Sequence, residues 1–218
     1  MKKICRINKK GITLIELLVA FVICGLVVAG IYRVFVAQSK AYTVQDQVVE
    51  VQQNIRSGME ILLRDLRMAG YDSESTSSKV KVVSPILTGD GSKANPITVE
   101  YEYDDTTRYT VWYWVEGAPL TLKRQLTITK DDGSTTSETT DLLENVNAIN
   151  FDYGVDTNDD KALDSWVPAG PGISKVVAVR VILILNPDQT NPDVVKLVSP
   201  RTLTTIVALR NQSMTPAW

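Results

Sequence analysis

Residues 12–36 read ITLIELLVAFVICGLVVAGIYRVFV, an apolar run interrupted only by the charges of Glu16 and Arg33. At about 1.5 Å per residue, a helix of this length crosses a hydrocarbon core of roughly 30 Å. Nothing else limits the chain so strongly, because apolar surface of that extent must be covered by lipid or by other protein. A cleaved secretory signal is the competing reading. Its apolar region runs about 7–15 residues and is followed by small residues at the cleavage site. Here Tyr32, Arg33, Val34 and Phe35 close the run instead, which favours a membrane-spanning helix.

Charge separates the ends. Residues 1–11 carry Lys2, Lys3, Arg6, Lys9 and Lys10 and no acid. Without those five, residues 12–218 hold 18 basic against 25 acidic side chains, a balance of −7. A basic segment before an apolar span fits the cytoplasmic side of a membrane. An acidic body lacks the clustered Lys and Arg that phosphate neutralisation needs, so nucleic acid is not an expected partner. The chain contains no histidine. That excludes Ser-His-Asp triads, His-ligated zinc or haem, and imidazole acid–base chemistry.

Helical periodicity continues past the apolar run. Val44, Val48, Val51, Ile55, Met59, Leu62 and Leu66 follow at spacings of 4, 3, 4, 4, 3 and 4, with polar residues in many of the gaps. All nine prolines lie at Pro85 or beyond, and Gly70 stands where a C-terminal cap belongs. One helix over residues 12–69, about 85 Å long, is expected, softened locally at Gly25, Gly30 and Gly58. Beyond it Ser, Thr, Gly, Asp, Pro and β-branched residues predict short strands at 80–83, 97–103, 108–115, 120–129, 146–153, 175–185 and 201–209. Turns are expected at 104–107, 116–119 and 131–134. The nearly all-apolar strand 175–185 reads as central and covered on both faces. The fold class is therefore α+β: a long N-terminal helix, transmembrane over 12–36 and amphipathic over 37–70, packed on an antiparallel β-rich head over 71–218.

At the junction of basic and apolar segments stands Lys9-Lys10-Gly11-Ile12-Thr13-Leu14-Ile15-Glu16. Here the chain resembles a prepilin of the type IV pilin and type II pseudopilin superfamily. Gly11 and Glu16 match the glycine before the cleavage point and the glutamate at the fifth mature position. The resemblance implies a leader over residues 1–11, cleavage between Gly11 and Ile12 by a prepilin peptidase, and N-methylation of Ile12. It departs from the usual pattern at Ile12, where Phe or Met is common. The stretch 42–71, ending Arg64-Asp65-Leu66-Arg67-Met68-Ala69-Gly70-Tyr71, looks like the PilW family of minor pilins, and Thr204, Thr205, Val207, Ala208, Leu209, Arg210 and Asn211 are similar to that family's closing strand.

An ionised carboxylate in an apolar helix costs about 2.5–3.5 kcal/mol on insertion scales, so Glu16 needs a partner or an interfacial position. The partner expected is the amine that cleavage would create at Ile12 of a neighbouring subunit; the competing reading lets Glu16 snorkel to the headgroups. The resemblance implies a minor pilin of a type IV pilus in the bacterial inner membrane, with its head periplasmic and with other minor and major pilins as partners. The resemblance likewise implies a structural protein and not an enzyme. A minor pseudopilin of a type II secretion system is the nearest alternative. Cys5 would leave with the leader and Cys24 lies in the apolar run, so the mature head has no disulfide.

Two further features lie in the head. Asp156, Asn158, Asp160 and Asp164 occupy positions 1, 3, 5 and 9 of an EF-hand-like loop, a spacing that can wrap Ca²⁺. Lys161 stands where glycine is wanted and Val167 where a bidentate glutamate is wanted, so the competing reading is a solvated acidic loop. Trp112, Tyr113 and Trp114, with Tyr101, Tyr103 and Tyr109, are read as cross-strand packing in preference to an exposed recognition face.

Overall fold

The computed structural model describes residues 11–72, 80–170 and 172–209. Contacts divide the chain into two compact units, Met1–Gln45 and Asp46–Trp218. Helix α1 (Leu14–Met68) contributes its apolar half to the first and its amphipathic half to the second. It is long and apolar enough near its start to cross a membrane. It closes as expected on Gly70, whose φ of 73° is readily adopted by a residue without Cβ.

The described residues of the second unit form two antiparallel sheets. Strands β1 (Ile86–Leu87), β2 (Ile97–Asp104), β3 (Thr107–Glu116), β4 (Thr121–Lys130) and β5 (Thr135–Leu143) make one sheet in meander order. Strands β6 (Val146–Val155), β7 (Ser165–Pro168), β8 (Val176–Leu185) and β9 (Arg201–Ala208) make the other, in the order β7-β6-β8-β9. A short helix α2 (Pro192–Leu197) precedes β9, with the Asn191 side chain accepting from the Asp193 amide as an N-cap and proline opening the first turn.

One core joins the amphipathic half of α1 to both sheets. Val51, Ile55, Met59, Leu62 and Leu66 of the expected stripe are buried, whereas Val44 and Val48 are half-buried. Their partners include Val99, Val111 and Leu122 of the first sheet and Ile149, Phe151, Val181 and Leu183 of the second. Gly58 lies on the same face of α1. A Cβ there would stand 2.6 Å from Leu143 Cγ, so glycine permits this close approach to β5.

Several expectations need correcting. Residues 80–83 form no strand, because the amide of Val83 and that of Ser84 donate to the Glu100 carboxylate at 3.2 and 3.0 Å instead of entering a ladder. Strand β5 escapes a search for apolar alternation because seven of its residues are exposed, most of them Thr or Ser at a sheet edge. Strand β8 is central, but its second face is half-buried: Val177, Arg180, Ile182 and Ile184 line it, and Arg180 pairs with Asp152 at 2.6 Å and lies over the Trp166 ring.

The apolar seam of α1 contains one charge. Asp65, 1% exposed, accepts hydrogen bonds from Tyr113 Oη at 2.6 Å and Arg124 Nε at 2.8 Å. Burial first, then the Asp65 charge, pushes the Tyr113 phenol far above its ordinary value, so it stays a donor. Removing one member strands the others in a dry environment. Asp65→Ala in the full-length chain should cost about 3–5 kcal/mol of stability by denaturant unfolding, and Asp65→Leu with Arg124→Met and Tyr113→Phe should recover most of it.

Candidate functional site

The front of α1 is built from four consecutive residues. The Thr13 carbonyl accepts the Leu17 amide at 3.2 Å, the first intrahelical bond, which makes Thr13 the N-cap. Thr13 Oγ1 accepts from the Glu16 amide at 3.3 Å. In return Glu16 Oε2 accepts from the Thr13 amide and from Thr13 Oγ1, both at 2.9 Å. This reciprocal capping box satisfies two helix-end donors at once and holds the carboxylate against the helix start. Glu16 thus has a partner within its own chain.

Gly11, Ile12 and Thr13 are exposed and outside the helix, so the Gly11–Ile12 peptide lies on non-helical backbone two residues before α1. A Cβ at Gly11 would meet nothing within 4 Å. Among the described residues no packing calls for glycine there. The basic residues before Gly11, and Cys5 with them, lie outside the described residues. Behind the box the helix surface is apolar and uncovered, with Leu14 82%, Phe21 70% and Leu26 70% exposed.

The second candidate site is partly assembled. Asp156, 5% exposed, accepts from the Asn158, Asp159 and Lys161 amides at 3.1, 2.7 and 2.7 Å. Asn158 Nδ2 donates to Asp160 Oδ2 at 3.2 Å. Asp164 is engaged elsewhere: its Oδ2 accepts from the Thr157 amide and hydroxyl at 2.7 and 2.6 Å, which hold the carboxyl below its usual range. Lys161 takes a φ of 67° at the place where a calcium loop puts glycine. Among the described residues no group of three or more acidic or cysteine side chains is arranged to hold a metal ion. The loop's carboxylates order its own backbone.

The aromatic residues divide between core and surface. Tyr101, Tyr113 and Trp114 are buried, Trp112 is half-buried, and Tyr103 stacks on Tyr109 with centroids 4.6 Å apart. Cys24 is exposed on α1 as a free thiol.

Two features were missed in the sequence although each carries a signal. Thr13-Leu14-Ile15-Glu16 is the capping-box pattern directly before an apolar run. Asp65 follows Gly58 and Leu62 at spacings of 7 and 3, which places it on the buried face.

Two family models match the chain. One, type IV pilus-assembly protein W, covers residues 108–207, and the other, the prokaryotic N-terminal methylation motif, covers residues 6–32. No curated protein matches the chain. The second match spans the capping box and the Gly11–Ile12 peptide; the first spans β3 to β9 except the first residue of β3 and the last of β9. Thr13→Val removes both hydroxyl contacts and should loosen the first turn by about 0.5–2 kcal/mol. Hydrogen exchange in detergent should then show faster exchange of the Glu16 amide, with β8 amides unchanged.

Proposed function

Taking as premise that the chain is a PilW-family type IV pilin, as the two family matches support, we propose that it acts as a minor pilin in the initiating or tip complex of a type IV pilus. Pilins are structural and not catalytic proteins, and they work through contacts with other pilins and with membrane assembly machinery. In this reading the precursor enters the bacterial inner membrane with its basic segment cytoplasmic and its head periplasmic. Prepilin peptidase cuts between Gly11 and Ile12 and methylates the new amine of Ile12. The mature subunit then moves from lipid into a bundle of neighbouring helices.

The observation that carries the reading is the pairing, in one chain, of an N-terminal methylation motif over an uncovered apolar helix with a head that matches a pilus-assembly protein. The head match favours a pilus over a type II secretion system, the alternative that shares the leader and helix. Exposed, non-helical backbone at residues 11–13 supports the cleavage step, because a protease needs an extended strand at the scissile bond. The capping box supports a role for Glu16 in assembly. Its carboxylate waits on Thr13 and is offered the cationic amine of Ile12 on a neighbouring subunit. A charge pair desolvated in this way fixes axial register more than it adds stability.

Mass spectrometry of the mature N-terminus from host membranes tests the processing step. The chain should begin with methylated Ile12 when the prepilin peptidase is present and retain its leader when the peptidase gene is deleted. A chain that keeps its leader in both strains contradicts the reading.

A further inference from the structure

We propose that the free edge of β5 pairs with the same edge of a second copy of this chain, the two strands running antiparallel about a two-fold axis at Ser137. The contact lies between identical heads and does not depend on processing at Gly11.

Of the four sheet edges, β5 is the least protected against another chain. Strand β1 has two residues, β7 has four and ends on Pro168, and β9 opens on Arg201 directly after Pro200. Short edges, proline and basic side chains all discourage strand addition. Strand β5 has nine residues with no proline, lysine or arginine, and its first seven, Thr135–Asp141, are exposed. The register irregularity against β4 falls at Leu122/Lys123, beyond that exposed run.

The ladder decides which backbone groups face outward. The Lys130 amide donates to the Ser134 carbonyl at 3.0 Å, toward β5, and the Asp131 amide donates to the Thr106 carbonyl at 2.9 Å, toward β3. Because Thr129 pairs with Thr135 and Thr127 with Ser137, the even-numbered residues of β5 bond to β4. The N–H and C=O groups of Thr135, Ser137, Thr139 and Asp141 therefore point to the free edge. Among the described residues they meet no partner there. An antiparallel strand satisfies them in pairs.

The side chains select the occupant. Thr135, Ser137, Thr139 and Asp141 stand on one face of β5 and Thr136, Glu138 and Thr140 on the other, so neither face offers apolar surface to a partner strand. An identical strand matches this pattern. About Ser137, Thr135 faces Thr139 of the second copy, Ser134 faces Thr140 and Ser137 faces Ser137, hydroxyl against hydroxyl, while Glu138 faces Thr136. The three pairs at 135, 137 and 139 exchange their outward backbone groups, roughly six hydrogen bonds in all. A two-fold centred on Glu138 sets two carboxylates directly opposite each other, which is destabilising. The Ser137 operator closes both β5 edges at once. A strand pair is small beside the roughly 1,200–2,000 Å² of a standard interface, so it forms where the heads are already held close. The uncovered apolar half of α1 does this by confining copies to one membrane.

Disulfide trapping of the full chain in host membranes tests the pairing, with Cys5 and Cys24 both changed to serine. Facing Cα atoms in such a pair are about 5.5 Å apart, within disulfide reach. Ser137→Cys chains should therefore run as dimers without reductant, and Thr140→Cys chains, whose two cysteines lie several residues apart along the strands, as monomers. Thr139→Pro added to Ser137→Cys removes an outward donor and leaves the β4 ladder intact. It should cut the dimer fraction about tenfold, equivalent to about 1.4 kcal/mol of contact. Thr135→Pro, which removes the donor on the facing residue, should do the same. Ser137→Cys chains that stay monomeric, equal trapping at Thr140→Cys, a disulfide to a different polypeptide, or a dimer fraction indifferent to both prolines overturns the inference.

Discussion

Apolar surface that its own chain leaves uncovered is the constraint from which the rest of this molecule follows. Large hydrophobic side chains from Ile12 to Phe35 stand half or more exposed along successive turns of α1. Each such side chain is worth roughly 1.5–3 kcal/mol when removed from water. No aqueous state of the chain is therefore stable by itself, and the helix must live in lipid or among other helices. Those two environments are similar in polarity, so transfer between them is governed by packing and by the few polar groups present. Glu16 is the first of these groups, and the capping box explains how it can wait in an apolar setting without an external partner.

The same helix meets a different demand from Asp46 onward. There its narrow apolar stripe shares one core with both sheets, and the buried Asp65, held by Tyr113 and Arg124, ties one helical turn to two neighbouring strands. A charge at this depth adds little net stability but penalises every register that leaves it unpaired. Gly58 acts in the same direction through shape, since only a residue without Cβ fits against Leu143 at that approach. Register of α1 on the head thus has one electrostatic and one steric determinant.

Much of this is legible in the amino-acid sequence. The span, the amphipathic stripe, the cap at Gly70 and six of the seven long strands follow from periodicity and from absent proline. Strand β5 was illegible because its Thr and Ser residues satisfy no alternation; pairing with β4, including a 2.7 Å contact between Thr127 and Ser137 hydroxyls, fixes it. Residues 80–83 look like a strand locally, but the distant Glu100 carboxylate takes the amides of Val83 and of the following Ser84. At the candidate site, Gly11, Ile12 and Glu16 were legible as a motif, while the part of Thr13 needed attention to side-chain hydrogen bonds at the helix start. In the acidic loop, four residues stand at ligand spacing, and within the chain Asp156 accepts from backbone amides and Asp164 from Thr157.

In the proposed assembly the Glu16 carboxylate exchanges Thr13 for an amine on an adjacent subunit. Quantifying Glu16→Leu chains in sheared, purified filaments tests it most directly. The account predicts normal membrane levels and normal cleavage of the variant, with recovery in filaments reduced tenfold or more, about 1.4 kcal/mol or above in assembly. Recovery equal to that of the parent would contradict it.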